Sequence, residues 1–187
     1  MKDIEVELTF ELDDPESART KIKSVAEQKG EIYQKDTYYT PKHKNYVQQR
    51  PISDWLRIRE TDKGDDVAFK HWHNQDDAKA VSCDEFETKV EDIDQLKKIF
   101  EQLEIGELIV VEKKRTIYQY QDIEIVLDII TDLGWFIELE AKGEYQSIDQ
   151  AKERLYSVLK ELDIKVGEQD FKGYPHRLLE KKGLLTA

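Results

Sequence analysis

Hydrophobic and polar positions alternate with a period of two along most of this chain. Residues 3–12 set Ile4, Val6, Leu8 and Phe10 against Glu5, Glu7 and Thr9, which predicts a strand. The same alternation predicts strands over 31–40, 55–61, 66–72, 81–90, 108–120, 123–130 and 135–142. Three stretches switch to a helical period. Asp14 and Pro15 open the first, Ala18, Ile22, Val25 and Ala26 form its apolar stripe, and Gly30 is its expected stop. Asp92 caps the second, which carries Ile93, Leu96, Ile99, Phe100 and Leu103 and closes near Gly106. Ser147 with Gln150 makes a capping box for the third, which reaches about Leu162. Residues 174–182 suit a short closing helix, while 41–53 and 73–79 are polar and read as loops.

About eight strands joined mostly by hairpins, with three main helices, give an α+β class and a chiefly antiparallel sheet. One face of that sheet is strongly charged, so closure into a barrel is expected. The 187 residues suit a single domain over 1–187, with no repeat or linker visible.

Inside the strands sit like-charge doublets: Glu5 and Glu7, Arg57 and Arg59, Glu85 and Glu87, Lys113 and Arg115, Glu138 and Glu140. Side chains at i and i+2 of a strand share a face. Each doublet therefore aims two like charges one way, which is unfavourable unless opposite charge lies between them. The residues between are often apolar (Val6, Leu56 with Ile58, Phe86, Leu139), so the opposite face is expected to be core. Carboxylates and cations gathered in this way suit a metal–polyphosphate complex.

Charge and composition narrow the choice. A net charge of −12 argues against a nucleic-acid duplex as partner but not against a small phosphate ligand. No run approaches membrane-spanning length and no signal peptide precedes the first strand, so no membrane partner and a cytoplasmic location are expected. The single cysteine, Cys83, excludes an internal disulfide and a CxxC metal site.

Taken in order, these strands resemble the CYTH superfamily, the triphosphate tunnel metalloenzymes, in its class IV adenylate cyclase-like branch. Glu5-Val6-Glu7-Leu8-Thr9 resembles the ExExK signature. Gln34-Lys35-Asp36-Thr37-Tyr38-Tyr39 resembles QxDxYY, and Leu56-Arg57-Ile58-Arg59 resembles LRxR, with Lys70 at the downstream lysine. Glu85-Phe86-Glu87, Lys113-Lys114-Arg115 and Phe136-Ile137-Glu138-Leu139-Glu140 resemble the later ExE, KxR and FxEIE strands. The resemblance implies a closed eight-stranded antiparallel tunnel around a triphosphate, with Mg²⁺ or Mn²⁺ as cofactor. It implies Glu5, Glu7, Glu138 and Glu140 as metal ligands, joined by Glu85 and Asp128. It implies Arg57, Arg59, Lys70, Lys113 and Arg115 as phosphate ligands, with Glu5, Glu7, Lys70, Glu85 and Arg115 closest to the chemistry. The implied substrates are ATP, thiamine triphosphate or inorganic tripolyphosphate, and the implied reactions are cyclisation to cyclic AMP with pyrophosphate release, or hydrolysis. Related folds commonly pair, so a homodimer is an open expectation.

Two positions depart from the pattern. Thr9 stands where the signature has lysine, and Cys83 falls near an expected arginine. With two cations missing or moved, weaker triphosphate affinity or a different ligand is expected, and a non-catalytic triphosphate sensor remains an alternative. Lys172, in Phe171-Lys172-Gly173-Tyr174, is a further substrate-binding candidate. Asp128 lies among Ile125, Leu127, Ile129 and Ile130, so its carboxylate needs a metal or an arginine. His71 and His73 are spaced to bind a transition metal, but no third ligand is evident and they read as loop-edge histidines. Tyr38 and Tyr39 read as packing residues rather than base-stacking ones.

Overall fold

The structure is a computed structural model that describes residues 4–49, 51–75 and 79–185, without the side chains of Ile4, Glu5 and residues 74–82. In chain order its first elements are β1 (Ile4–Glu5), β2 (Glu7–Glu11), α1 (Pro15–Val25), β3 (Glu27–Pro41), β4 (Asp54–Thr61), β5 (Asp65–Gln75) and β6 (Lys79–Val90). Then follow α2 (Ile93–Gln102), β7 (Ile105–Tyr120), β8 (Ile123–Ile130), β9 (Gly134–Ala141), α3 (Ile148–Glu161), β10 (Gln169–Asp170) and α4 (Tyr174–Lys181). The class is α+β and the strands pair antiparallel, as the alternation predicts. Ten strands are described rather than eight, because the first splits at Val6 and a two-residue strand, β10, follows α3.

The chain divides into two compact units. Unit one holds Tyr33–Glu112 with the two chain ends, and unit two holds Glu5–Ile32 and Lys113–Phe171. In unit one the strand order is β6-β5-β4-β3-β7. A small core of Tyr39, Ile58 and Phe100 joins α2 to the sheet, with Leu56, Val67, Ile93 and Leu96 around it. In unit two the order is β3-β7-β8-β9-β2-β10. Its core is larger: Leu8, Phe10, Ile125, Leu127, Ile137 and Leu139 from the strands meet Ala18 and Ile22 of α1 and Leu155 and Val158 of α3.

The caps are as the sequence predicts. The Asp14, Asp92 and Ser147 side chains accept from the backbone N–H groups of Ser17, Gln95 and Gln150. The stops differ. The first helix ends at Ala26, which turns extended, and Gly30 lies inside β3. The second ends at Leu103, followed by Glu104 in the left-handed region at φ 57°, and Gly106 lies inside β7. The expected loop at 73–79 is largely ladder, since Asn74 pairs with Ala80 and Gln75 with Lys79, past a register shift at His73 and Asn74. Backbone pairing needs no apolar side chain, so a polar run gives no sign of it. Among the described residues, no helix is long and apolar enough to cross a membrane.

Candidate functional site

In unit one the register brings the charged doublets onto one face. Arg57 stands opposite Tyr38 on β3 and Ala68 on β5, and Ala68 stands opposite Glu87 on β6. Arg59 stands opposite Asp36 and Asp66. Trp55, Lys70 and Glu85 form the next rung. Directly opposed residues of antiparallel strands share a face, so three cations and four carboxylates lie together. The fully buried Asp36 takes a fork from Arg59, with Nε at 2.6 Å and Nη2 at 2.8 Å. Arg57 Nη2 donates to Asp66 at 3.1 Å and Glu87 at 3.2 Å, with Glu85 at 3.8 Å. Lys70 Nζ lies 3.0 Å from Glu85. Arg57 is itself buried, and its Nε lacks a hydrogen-bond partner among the described residues. A buried guanidinium N–H left in this state is costly, and an anionic oxygen is its natural acceptor.

Alternation also separates the two tyrosines. Tyr39 packs edge-on against Phe100 in the core at 5.2 Å. Tyr38 lies on the charged face, edge-on to Trp55 at 5.6 Å. Burial, with Asp36 adding and Arg57, Arg59 and Lys70 opposing, pushes its hydroxyl up to about 12. Tyr38 thus remains a neutral donor at any physiological pH.

In unit two Glu7 stands opposite Glu140 on β9, and Glu140 stands opposite Glu124 on β8. Thr9 stands opposite Glu138 on one side and Asp170 on the other. Arg115 stands opposite Asp128 and forks onto it, with Nε at 2.9 Å and Nη2 at 2.6 Å. The same Nη2 reaches Glu138 at 3.0 Å. Lys113 is buried on this face, whereas Lys114 points the other way to Glu31 at 2.8 Å. Glu140 meets Lys142 at 2.6 Å. Asp128 is wholly buried, and an arginine of the kind its burial demanded is in place.

The Glu5 side chain lies outside the described residues. Glu85 falls in unit one beside Lys70, while Glu7, Asp128, Glu138 and Glu140 fall in unit two. Lys172, at the start of the α4 segment, pairs with Glu180 at 2.7 Å and is half-exposed. Cys83 is buried, opposite Trp72. Phe86 corrects the core expectation: it is 66% exposed, because its side of β6 is not sealed by the small core of unit one. The residues that the sequence reading left without a role are Asp36, Asp66, Glu87, Glu124 and Asp170. Each gains its place from strand register, a non-local property. Asp128 carries a local signal, a carboxylate between Leu127 and Ile129, whereas Asp36 lies between Lys35 and Thr37 and carries none of that kind.

Glu7, Glu140 and Glu124 fit a hard divalent cation by donor type. They offer oxygen ligands from directly opposed positions, where side-chain roots stand about 5 Å apart and like charges repel. Among the described residues, no three His, Cys, Asp or Glu side chains are already gathered as a complete ligand set.

Comparison with known proteins gives a consistent result. The family model described as CYTH domain matches residues 3–174. A protein of Methanocaldococcus jannaschii, provisionally named an adenylate cyclase, is 30% identical over 183 residues, covering 97% of this chain and 99% of its own. The solved PH1819 protein of Pyrococcus horikoshii aligns with a TM-score of 0.76 at 25% identity, covering 95% and 99% of the two chains. A Hippeastrum protein, provisionally an adenylyl cyclase and described as having a dominant triphosphatase activity, aligns at 0.65 and 15% identity, covering 96% of each chain. The sequence motifs, the sheet and these matches agree, and the chain belongs to the CYTH domain family.

Proposed function

We propose that this protein is a divalent-metal-dependent enzyme acting on a triphosphate, with residues 1–187 as one catalytic domain. The observation that carries the reading is buried Arg57, its Nε unpartnered, on one face with Arg59 and Lys70. A protein surface with no anionic ligand to hold gains nothing from such a group. Family membership supports the triphosphate class and the use of a divalent metal. Closure of the strands into an eight-stranded tunnel is part of the same proposal.

Arg57, Arg59 and Lys70, with Lys113 and Arg115, hold phosphate oxygens; the guanidinium forks fix orientation and the ammonium groups supply point charge. Asp36 and Asp128 keep Arg59 and Arg115 in one geometry, and Glu85 does so for Lys70. Thr9 contributes a hydroxyl, and Lys172 an exposed cation. Glu5, Glu7, Glu138 and Glu140 hold Mg²⁺ or Mn²⁺ through carboxylate oxygens. When bound, the metal neutralises phosphate charge and aligns the attacking and leaving oxygens. Asp128 is then an arginine holder rather than a ligand, and Glu85 is first a lysine holder.

For ATP the reading is cyclisation: the ribose 3′-hydroxyl attacks the α-phosphorus, the bond to the β-phosphate oxygen breaks, and pyrophosphate leaves. The name of the Jannaschii relative supports it. Hydrolysis of thiamine triphosphate or tripolyphosphate is the second reading, supported by the activity named for the Hippeastrum protein. Purified protein given ATP, thiamine triphosphate and tripolyphosphate with Mg²⁺ or Mn²⁺ separates them by product. Cyclic AMP with pyrophosphate establishes cyclisation, orthophosphate establishes hydrolysis, and binding without turnover refutes the enzyme reading.

A further inference from the structure

A second constellation lies in unit one, on the face opposite Lys70 and Trp72. Asp54 of β4, His71 of β5 and Asp84 of β6 are directly opposed across three strands. His73 lies two residues beyond His71, on the same face. His71 Nδ1 is 2.7 Å from Asp54 Oδ1, and His73 Nε2 is 2.9 Å from Asp84 Oδ2. The two rings stand 5.2 Å apart between centres, and both side chains are half-exposed.

We propose that His71 and His73 form a two-imidazole site for a divalent transition cation of the zinc class, separate from the triphosphate chemistry. Three observations converge on it. A carboxylate accepts only, so in each neutral ring the bonded nitrogen carries the hydrogen, and the lone pair falls on His71 Nε2 and His73 Nδ1. This is the arrangement in which an outer carboxylate fixes the tautomer and raises the basicity of a ligating imidazole. Spacing agrees as well. Two imidazoles on one tetrahedral ion, with metal–nitrogen bonds of about 2.0–2.1 Å, place their ring centres roughly 5 Å apart. Finally, Asp54 is buried and meets both His71 Nδ1 and Lys44 Nζ, so the acid beneath the exposed ring is itself seated in the fold.

Solvent completes the coordination, since the pair supplies two ligands and no larger group is gathered among the described residues. Two ligands give moderate affinity. Imidazole nitrogen selects zinc, copper or nickel, whereas Mg²⁺ takes oxygen. The two cation sites are therefore told apart by ligand type. Asp54 also receives Lys44 Nζ at 2.9 Å, so the ion is linked to the segment between β3 and β4.

Zinc titration, with excess Mg²⁺ present, tests the proposal by calorimetry and by histidine-ring nitrogen NMR. One Zn²⁺ per chain is expected, with the Nε2 resonance of His71 and the Nδ1 resonance of His73 shifting. The chain's two other histidines, His43 and His176, serve as internal controls and remain unmoved. His71→Ala and His73→Ala, both at half-exposed positions, should each weaken binding at least about tenfold. Asp84→Asn should weaken it about tenfold while both imidazoles remain. Unshifted His71 and His73 rings, or unchanged affinity in both histidine variants, overturns the proposal. Neither readout uses catalysis, so the result stands apart from the triphosphate reading.

Discussion

In unit one Arg59 forks onto Asp36, and in unit two Arg115 forks onto Asp128. Both aspartates are fully buried, and each stands directly opposite its arginine on the neighbouring strand. Beyond this shared device the two faces diverge. Unit one adds Arg57 and Lys70 and nearly balances acids with cations. Unit two adds Lys113 but sets Glu7, Glu140 and Glu124 against one another and gives Thr9 two acidic neighbours, Glu138 and Asp170. The difference teaches a division of labour. One face carries more of the cations that can grip an anion, and the other gathers the carboxylates that, in the proposed function, would hold the metal.

The acid-rich face should be the more sensitive to loss of charge. Changing Glu138→Gln with Glu140→Gln should lower metal-dependent turnover about a hundredfold or more, while circular dichroism stays unchanged. Full activity in that variant would show that the metal is held elsewhere. The shared forks should be equivalent. Asp36→Ala or Asp128→Ala leaves a buried arginine without its acid and should cost about 3–5 kcal/mol in denaturant unfolding. A large loss in one unit and none in the other would break the parallel.

Arg59→Lys keeps the charge but loses the fork, and should raise KM about tenfold with a smaller change in stability. Thr9→Lys places a cation between Glu138 and Asp170, and should tighten tripolyphosphate binding several-fold, by about 1 kcal/mol. Weaker binding would mean that the hydroxyl has a role of its own. The smallest effect concerns Asp54, whose folded carboxyl lies below its ordinary 3.8. A depressed carboxyl contributes stability above its unfolded value and loses it as pH falls through the folded value. The stability gap between wild type and Asp54→Asn should therefore be full near neutrality and close as pH falls below the ordinary 3.8 and through the lower folded value.

The strands and helices were legible in the sequence because each buries one face and keeps its period. Leu8, Phe10, Ile137 and Leu139 are core as the alternation requires. Glycine proved a poor guide to helix ends: the helices end at Ala26 and at Leu103, before Glu104, where Gly30 and Gly106 were expected to close them. At both points a strand begins at once and sets the backbone from outside the helix. The charged doublets predicted which residues share a face, but not which acid would hold which cation. Asp66 and Glu87 at Arg57, or Glu124 beside Glu140, follow from the pairing of strands distant in sequence. Phe86 shows the same limit: its strand period is right, but among the described residues it stays largely uncovered.

The division of labour is tested most directly by Mn²⁺ added to isotope-labelled protein with tripolyphosphate. The account predicts paramagnetic loss of amide signals along β2 and β9, around Glu7, Glu138 and Glu140, and tripolyphosphate binding that tightens when the metal is present. Signal loss elsewhere, with β2 and β9 untouched, or tripolyphosphate binding indifferent to metal, would contradict it.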